Sequence, residues 1–305
     1  MHPFIRIFGI LVPTYGLLTL AAVVIGTLVT LSRVKRYGIP REKAFYALLF
    51  AFIGMLVGAK LLYLIPRVGE MWANRGLLFS NPAQFAELFV SGGLVFYGGL
   101  IGALIMLFIY CRCFGLSVLG MMDAAAPAIP AAHAVGRIGC LLAGCCYGLP
   151  HDGPLAIVNH HAVGGAPDGV PLFPIQPLES LINLVIAGML FIVEYSLVHR
   201  ARAQRKRVVR GEEERRSERA PSRLPQGSTR DLAESATTKP GFLMGLYLML
   251  YGIARFGLEF LRGDPARGVV FGMSTSQFIG ILLLVTGGFL CFFRFPQKGK
   301  TGHHS

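Results

Sequence analysis

The run TYGLLTLAAVVIGTLVTLS, from Thr14 to Ser32, contains no charged side chain. About 20 mostly apolar residues are enough to cross the hydrocarbon core of a bilayer as a helix, because each adds about 1.5 Å of rise. The runs Gly92–Tyr110 and Ser276–Phe293 are also long and free of charge. These three runs predict transmembrane helices.

Four further runs are long and apolar enough to span a membrane, but each contains ionisable residues. They are Ala44–Ile65 with Lys60, Leu116–Val135 with Asp123 and His133, Leu178–Val198 with Glu179 and Glu194, and Gly241–Leu261 with Arg255 and Glu259. Of the 305 residues, 53% are hydrophobic and 15% charged, whereas soluble proteins have about 25% charged residues. The sequence therefore predicts an all-α integral membrane protein of about seven transmembrane helices.

When the seven runs are numbered in chain order, Lys and Arg collect after the odd-numbered ones. The segments that follow these runs, all on one side of the membrane, hold 21 of the 29 basic residues. Cytoplasmic loops retain basic residues, so we expect the N-terminus outside and the C-terminus inside. The same rule explains the net charge of +13, and nucleic acid is therefore not an expected partner. The first run should stay attached, because no small-residue cleavage site follows it.

The segment from residue 199 to residue 240 holds 18 of the charged residues and few aromatic ones. Such a segment buries too little apolar surface to order itself, so we expect a disordered basic cytoplasmic linker. It would separate residues 1–198, with five helices, from residues 241–305, with two helices and a cytoplasmic tail. Residues 136–177, rich in Gly and Pro, predict a small irregular periplasmic head or the lining of a cavity.

Ionisable groups in apolar spans cost about 2.5 to 3.5 kcal/mol each, so each one is a functional hypothesis. Arg255 and Glu259 stand four residues apart on one helical face. They form either an ion pair that locks two helices, or a pair in which Arg255 also binds a phosphate.

Arg137 lies in HAVGRIGCLLAGCCYG, from His133 to Gly148, with no acidic neighbour closer than Asp123 on its amino side. We expect Arg137 to bind an anion, such as a phospholipid head group.

The same stretch contains Cys140, Cys145 and Cys146. Their spacing, C-x4-C-C, is not a standard zinc pattern, and there is no C-x-x-C. We therefore expect the three cysteines to pack as small buried hydrophobic side chains and to bind no metal. An oxidised pair of Cys145 and Cys146 stays open. No glycine loop for a nucleotide phosphate is present, and no cofactor is expected.

Two tyrosines stand at the predicted outer ends of spans. Tyr15 lies in PTYGLL, and Tyr97 precedes two glycines in FYGGLIG. In a purely structural interpretation, they are tyrosines at the membrane interface, beside glycines that pack helices together. His133 is interpreted as a hydrogen-bonded helix histidine.

Together these blocks resemble the bacterial prolipoprotein diacylglyceryl transferases. The family signature is a G-R-x-G stretch followed by a small loop that ends in Gly. Its other blocks appear here in the family's order, as PTYGLL, FYGGLIG, MDAAAPAIP, FPIQPLES and YGIARFGLEFLRGD. Three positions depart from many members: Tyr97 replaces His, Cys140 replaces Asn and Cys145 replaces Glu. Because the family includes branches with a cysteine-rich loop and this tyrosine, the departures indicate a subfamily.

The resemblance implies a transferase of the bacterial cytoplasmic (inner) membrane. It would move the diacylglyceryl group of phosphatidylglycerol to the lipobox cysteine of prolipoproteins, forming a thioether and releasing glycerol phosphate. Its partners would be phosphatidylglycerol, prolipoprotein signal peptides and membrane lipids. The catalytic residues carried over are Arg137, Arg255, Tyr97 and Tyr15, and the substrate-binding residues are Gly98, Gly99, Gly136, Gly139, Cys140, Gly148, Glu259 and Gln176.

Two other functions stay open from the sequence. Glycine-broken helices and buried arginines also build the pathways of transporters and scramblases for small anions or anionic lipids. The absence of a clear repeat between the halves favours the enzyme. A noncatalytic relative that binds phospholipid is the third possibility. Asp123, Gln176, Glu179 and Glu259 are expected to support the site rather than react.

Overall fold

A computed structural model describes residues 3–90, 93–217, 239–264, 268–270 and 272–293 of the chain. The chain divides into two compact units. The smaller unit comprises residues 39–121, and the larger unit comprises the residues before and after it. The main helices are α1 (Thr14–Arg33), α2 (Arg41–Leu64), α3 (Val68–Ala73), α4 (Leu77–Ser80), α5 (Pro82–Phe85), α6 (Phe96–Cys113), α7 (Val118–Ala125), α8 (Ala128–Ala143), α9 (Ile175–Ser217), α10 (Phe242–Leu258) and α11 (Thr275–Phe292).

Three short antiparallel hairpins and several tight helical turns complete the described part of the chain. The strands are β1 (Phe4–Ile7) with β2 (Ile10–Pro13), β3 (Ile157–Val158) with β4 (Pro171–Leu172), and β5 (Val269–Val270) with β6 (Met273–Ser274). Turns of 3₁₀ helix lie at Val34–Tyr37, Ile65–Arg67 and Glu259–Leu261, and a π-helical turn lies at Ala86–Val90. The hairpin of β1 and β2 precedes the first span and was not predicted from the sequence.

Six helical segments are long and apolar enough to cross a membrane, and a seventh is present if the bent pair of α7 and α8 counts as one span. The bend between α7 and α8 is 45°. The prediction of an all-α protein with about seven transmembrane helices is confirmed, and the chain is a multi-pass membrane protein. The orientation derived from the basic residues stays a prediction.

In the smaller unit, α2 and α6 approach each other along glycines. A Cβ atom added at Gly58 would collide with the carbonyl oxygen of Gly98, and one added at Gly102 would collide with that of Gly54. Small residues at such a crossing let two backbones touch, which is how helices associate where no water drives them together. The helix-packing interpretation of these glycines is therefore confirmed.

In the larger unit, α8 packs against α1 and α9, and α10 packs against α9 and α11. The contact of α10 with α11 also depends on glycines. A Cβ atom at Gly245 would lie 2.7 Å from the carbonyl oxygen of Gly287, and one at Gly252 would lie 2.7 Å from that of Gly280. These glycines thereby let α10, which carries Arg255, lie directly against α11.

The ionisable groups of the spans have partners on other helices. Glu194 of α9 lies 2.7 Å from Arg33 and 2.6 Å from Arg36. Asp123 accepts hydrogen bonds from the backbone N–H groups of Gly241, at 2.6 Å, and Met244, at 2.9 Å. The first N–H groups of a helix have no partner within it, so Asp123 caps the start of α10. This agrees with its expected supporting role.

Two segment boundaries differ from the sequence prediction. The fourth span was expected to end at Val135, but α8 continues to Ala143, where Gly144 adopts the left-handed conformation (φ 71°) that terminates helices. Arg137 and Cys140 therefore lie on a helix and not in the irregular head. The linker was expected to be disordered from residue 199, but α9 continues to Ser217. Arg, Lys, Gln and Glu are good helix formers, which explains the extension. Residues 218–238 of that linker lie outside the described residues.

Candidate active site

Arg137 of α8 forms a buried ion pair with Glu179 of α9. Its Nη2 atom lies 2.6 Å from Oε1 of Glu179, and both residues are buried. The sequence shows no acidic residue nearer to Arg137 on its amino side than Asp123, and the fold brings a carboxylate to it from a residue 42 positions later. A buried charge without a partner is far more costly than a buried pair, so this contact makes the position of Arg137 tolerable.

Glu179 lies among three basic side chains. Besides Arg137, Nε2 of His133 is 3.7 Å from its Oε1 atom, and Nη1 of Arg262 is 3.9 Å from its Oε2 atom. The side-chain amide of Asn183 donates to the backbone carbonyl of Glu179 at 2.8 Å. The carboxylate expected to be only a supporting group is thus the centre of the charge cluster.

Arg255 of α10 has two partners. Its Nη2 atom lies 3.0 Å from Oε2 of Glu259 and donates to Oγ of Ser276, at 2.7 Å. The i, i+4 pair considered from the sequence is therefore present, and the bond to Ser276 ties α10 to α11. Glu259, predicted to bind substrate, orients Arg255.

Both arginines keep a buried donor that has no partner among the described residues. These donors are Nε of Arg137 and Nη1 of Arg255. An unsatisfied buried donor costs about 1 to 3 kcal/mol, so each N–H is available to an anionic ligand at little further cost. The ring of His133, one turn before Arg137 on α8, lies 5.5 Å from that of Tyr251, one turn before Arg255 on α10.

Arg262 was missed as a site residue. It follows α10, its side chain is only 4% exposed, and it makes two hydrogen bonds of 3.1 Å to Asp264. Burial disfavours its charge, but the hydrogen bonds that Arg262 donates to Asp264 raise the pKa of Arg262 above its ordinary value. The only signal for it in the sequence was its place at the end of the YGIARFGLEFLRGD block.

The loop after α8 is held by hydrogen bonds to α9 and to the end of α10. The Gln176 side chain donates to the carbonyl of Cys145 at 3.0 Å. The N–H of Leu149 donates to the carbonyl of Leu261, and that of Gly263 to the carbonyl of Tyr147, both at 3.1 Å. Gly148 packs so closely on Phe173 that a Cβ atom would collide with its carbonyl oxygen. Gln176 and Gly148, predicted to bind substrate, therefore position this loop.

The loop brings three thiols together. The Sγ atoms of Cys140, Cys145 and Cys146 all lie within 4.8 Å of one another. Nη1 of Arg137 lies 3.9 Å from Sγ of Cys140. The thiol of Cys145 donates to the backbone carbonyl of Cys140 at 3.7 Å.

Of the remaining predicted residues, three lie in the larger unit. Tyr15, half-exposed at the start of α1, lies against Gly139, where a Cβ atom would be 3.4 Å from the tyrosine ring. A Cβ atom at Gly136 would meet no atom of the described chain within 4 Å.

The other three predicted residues lie at the start of α6, in the smaller unit. Tyr97 is half-exposed and contacts Phe96 edge to face, with the ring centroids 5.7 Å apart. Gly98 is buried against Gly58, and Gly99 against Met55. Packing on α2 accounts for both glycines.

The chain is similar in sequence to known proteins over most of its length. A family model described as prolipoprotein diacylglyceryl transferase matches residues 3–210 and 229–293. The phosphatidylglycerol–prolipoprotein diacylglyceryl transferase of Clostridium tetani is 30% identical over 285 residues, which is 93% of this chain and 94% of the relative. The second such transferase of Clostridium perfringens is 30% identical over 295 residues, 97% of this chain and 95% of the relative. A transferase of Leptospira interrogans is 24% identical over 321 residues, 90% and 87% of the two chains. The match to the family model covers most of the chain, and the chain therefore belongs to the prolipoprotein diacylglyceryl transferase family.

Proposed function

We propose that this protein transfers the diacylglyceryl group of phosphatidylglycerol to the cysteine thiol of a prolipoprotein in the bacterial cytoplasmic membrane. The names of its relatives support the reaction and both substrates. The observation that carries the proposal is the pair of buried arginines, Arg137 and Arg255, each with one N–H donor that has no partner among the described residues.

The chemistry explains why cations are needed. The acceptor sulfur bonds to the terminal carbon of the diacylglyceryl group, the carbon that is joined to the phosphate oxygen. The bond between that carbon and the oxygen breaks, and glycerol phosphate leaves with the electron pair. Negative charge on the phosphate grows as this bond breaks, so donors fixed in advance stabilise the transition state more than the bound lipid.

The contacts of the two arginines assign them this role. Nε of Arg137 and Nη1 of Arg255 donate to the departing phosphate, while Glu179 and Glu259 hold the other sides of the two guanidiniums. A guanidinium has five donors, so it can bind a protein carboxylate and a phosphate together. The carboxylates thus orient the cations without consuming all of their donors.

The acceptor thiol must lose a proton, since an unperturbed thiol has a pKa near 8.5. The family resemblance assigns Tyr97 to orient or relay that proton. Tyr15 is assigned to the border of the site, because it lies against Gly139, two residues after Arg137 on α8.

The test is direct. The purified full-length protein is incubated with phosphatidylglycerol vesicles and a lipobox peptide. We expect a diacylglyceryl mass increment on the peptide cysteine and an equal amount of released glycerol phosphate. A peptide whose cysteine is replaced by serine is the control. Folded protein that produces neither product would contradict the proposal.

A further inference from the structure

Arg137 and Arg255, the two arginines proposed to bind the phosphate, are called the clamp below. The three thiols beside Arg137 form a cluster that has no part in the clamp. They come from the last turn of α8, which contains Cys140, and from the loop residues Cys145 and Cys146. In a tetrahedral zinc site with zinc–sulfur bonds of about 2.3 Å, the sulfurs stand about 3.8 Å apart. The observed separations, all within 4.8 Å, need to shorten by no more than roughly 1 Å to reach that geometry.

The loop holds the sulfurs in this arrangement before any ligand binds. Gly144 turns the chain back, with φ at 71°, and the N–H of Cys145 donates to the carbonyl of Cys140 at 3.1 Å. Gln176 holds the carbonyl of Cys145, and Gly164 packs against its Cα and Cβ atoms. The positions of the three sulfurs are therefore set by the fold.

Cys146 adopts a backbone conformation that residues other than glycine rarely take, with φ at 55°. Such a conformation is strained and persists only where its surroundings enforce it, most often at functional sites. Here it accompanies the inclusion of the Cys146 sulfur in the group of three. Small hydrophobic packing, the role expected from the sequence, does not require this strain.

Charge complementarity favours a metal ion bound by thiolates. Three thiolates and one divalent cation carry a net charge of −1. The guanidinium of Arg137, 3.9 Å from Sγ of Cys140, offsets that negative charge. Soft sulfur ligands select zinc or monovalent copper over hard cations such as magnesium.

The number of ligands distinguishes a reactive site from a structural one. Among the described residues, no fourth Cys, His, Asp or Glu joins the group. Structural zinc sites have four protein ligands, whereas reactive sites have three and leave one position open. The open position would lie close to Arg137, the predicted phosphate ligand.

We propose that Cys140, Cys145 and Cys146 bind one zinc ion, and that the thiol of the prolipoprotein occupies its fourth position. This assignment rests on the proposed function. Metal ligation favours the thiolate, which is the reactive form, at neutral pH. The sulfur then bonds to the terminal carbon of the diacylglyceryl group as the carbon–oxygen bond breaks. The electron pair of that bond leaves on the phosphate oxygen, and the proton released from the thiol is taken up by the departing phosphate monoester. The thioether product is neutral and a weaker ligand, so it is released.

The metal site is tested without reference to activity. The full-length protein is purified, incubated with zinc, dialysed, and analysed for metal and protein content. We expect about one zinc per chain, and at least a tenfold weaker affinity after Cys140→Ser, Cys145→Ser or Cys146→Ser. The double variant Cys113→Ser with Cys291→Ser, which leaves the cluster intact, should bind like the unaltered protein. Cadmium should produce a thiolate charge-transfer absorption only when the cluster is present.

Stoichiometric zinc in a variant that lacks all three cluster cysteines, or no thiolate–cadmium absorption in the unaltered protein, would overturn the site. Its role is tested by chelation, which should lower lipid transfer at least tenfold, with recovery on addition of zinc. Full transfer by zinc-free protein would overturn the role of the fourth position. If the unaltered protein transfers no lipid at all, the proposed function fails, and metal binding still reports separately on the site.

Discussion

The Nη2 atom of Arg137 lies 2.6 Å from Oε1 of Glu179, so a guanidinium on α8 is bound by a carboxylate on α9 inside the larger unit. The bond uses one side of the guanidinium and leaves Nε without a partner among the described residues. Glu179 also lies near His133 and Arg262. The pair thus balances charge and orients the donor assigned to the phosphate.

Replacing Arg137 with Gln should lower kcat/KM for lipid transfer by about 100-fold or more, because removing one donor that stabilises transition-state charge costs that much. Arg255→Gln should have an effect of the same order. The measurement is the rate of peptide lipidation at equal amounts of inserted protein. Arg75→Gln is the matched control, since Arg75 contacts only Trp72 among the contacts described for it. Full activity of either site variant would remove that arginine from the clamp.

Glu179→Ala should lower the free energy of unfolding by about 3 to 5 kcal/mol, because the buried charges of its partners lose their counterion. The midpoint of thermal unfolding in detergent measures this. In the double variant Arg137→Gln with Glu179→Gln, stability should largely return while lipid transfer stays low. Recovery of transfer in that double variant would show that Arg137 acts only in folding.

Asp123→Ala should destabilise the protein by about 1 to 2 kcal/mol, since it removes the side chain that accepts from the first N–H groups of α10. Asp123→Asn should cost less, because the amide oxygen can still accept. The kcat per folded molecule should stay within about twofold in both variants, in line with a capping role. A large loss of kcat at unchanged stability would contradict this assignment.

Two glycine substitutions should behave differently. Gly98→Ala places a Cβ atom against the carbonyl of Gly58 and should lower the unfolding midpoint. Gly136→Ala meets no described atom within 4 Å and should raise helix stability by up to about 1 kcal/mol. If Gly136 lines the lipid site, as predicted from the family resemblance, this variant should still raise KM for phosphatidylglycerol. An unchanged KM would remove Gly136 from the substrate site.

Tyr97→Phe should lower kcat at neutral pH by about 10-fold or more if the phenol relays the thiol proton, because positioned proton transfer contributes at least about that much. The deficit should shrink as the pH approaches the pKa of the free thiol, since more thiolate then forms without help. The measurement is the pH profile of peptide lipidation. An unchanged rate across that profile would assign Tyr97 to packing beside Phe96.

The sequence alone determined the transmembrane helices and singled out the two arginines proposed to bind the phosphate. Hydropathy is a local property, so a run such as Thr14–Ser32 identifies a span wherever the rest of the chain lies. An arginine within an apolar run is costly in any fold, which is why Arg137 and Arg255 could be selected before their surroundings were known.

Only the tertiary structure decided what these residues contact. Glu179 reaches Arg137 because α8 and α9 pack side by side. The positions of the two residues along the chain do not predict that contact. Cys140, Cys145 and Cys146 lack a standard metal spacing, yet the left-handed turn at Gly144 brings their sulfurs together. Ion pairing and metal ligation depend on distances of a few ångströms in space. Those distances follow from how the helices pack and how the loop turns, whereas hydropathy depends only on neighbours along the chain.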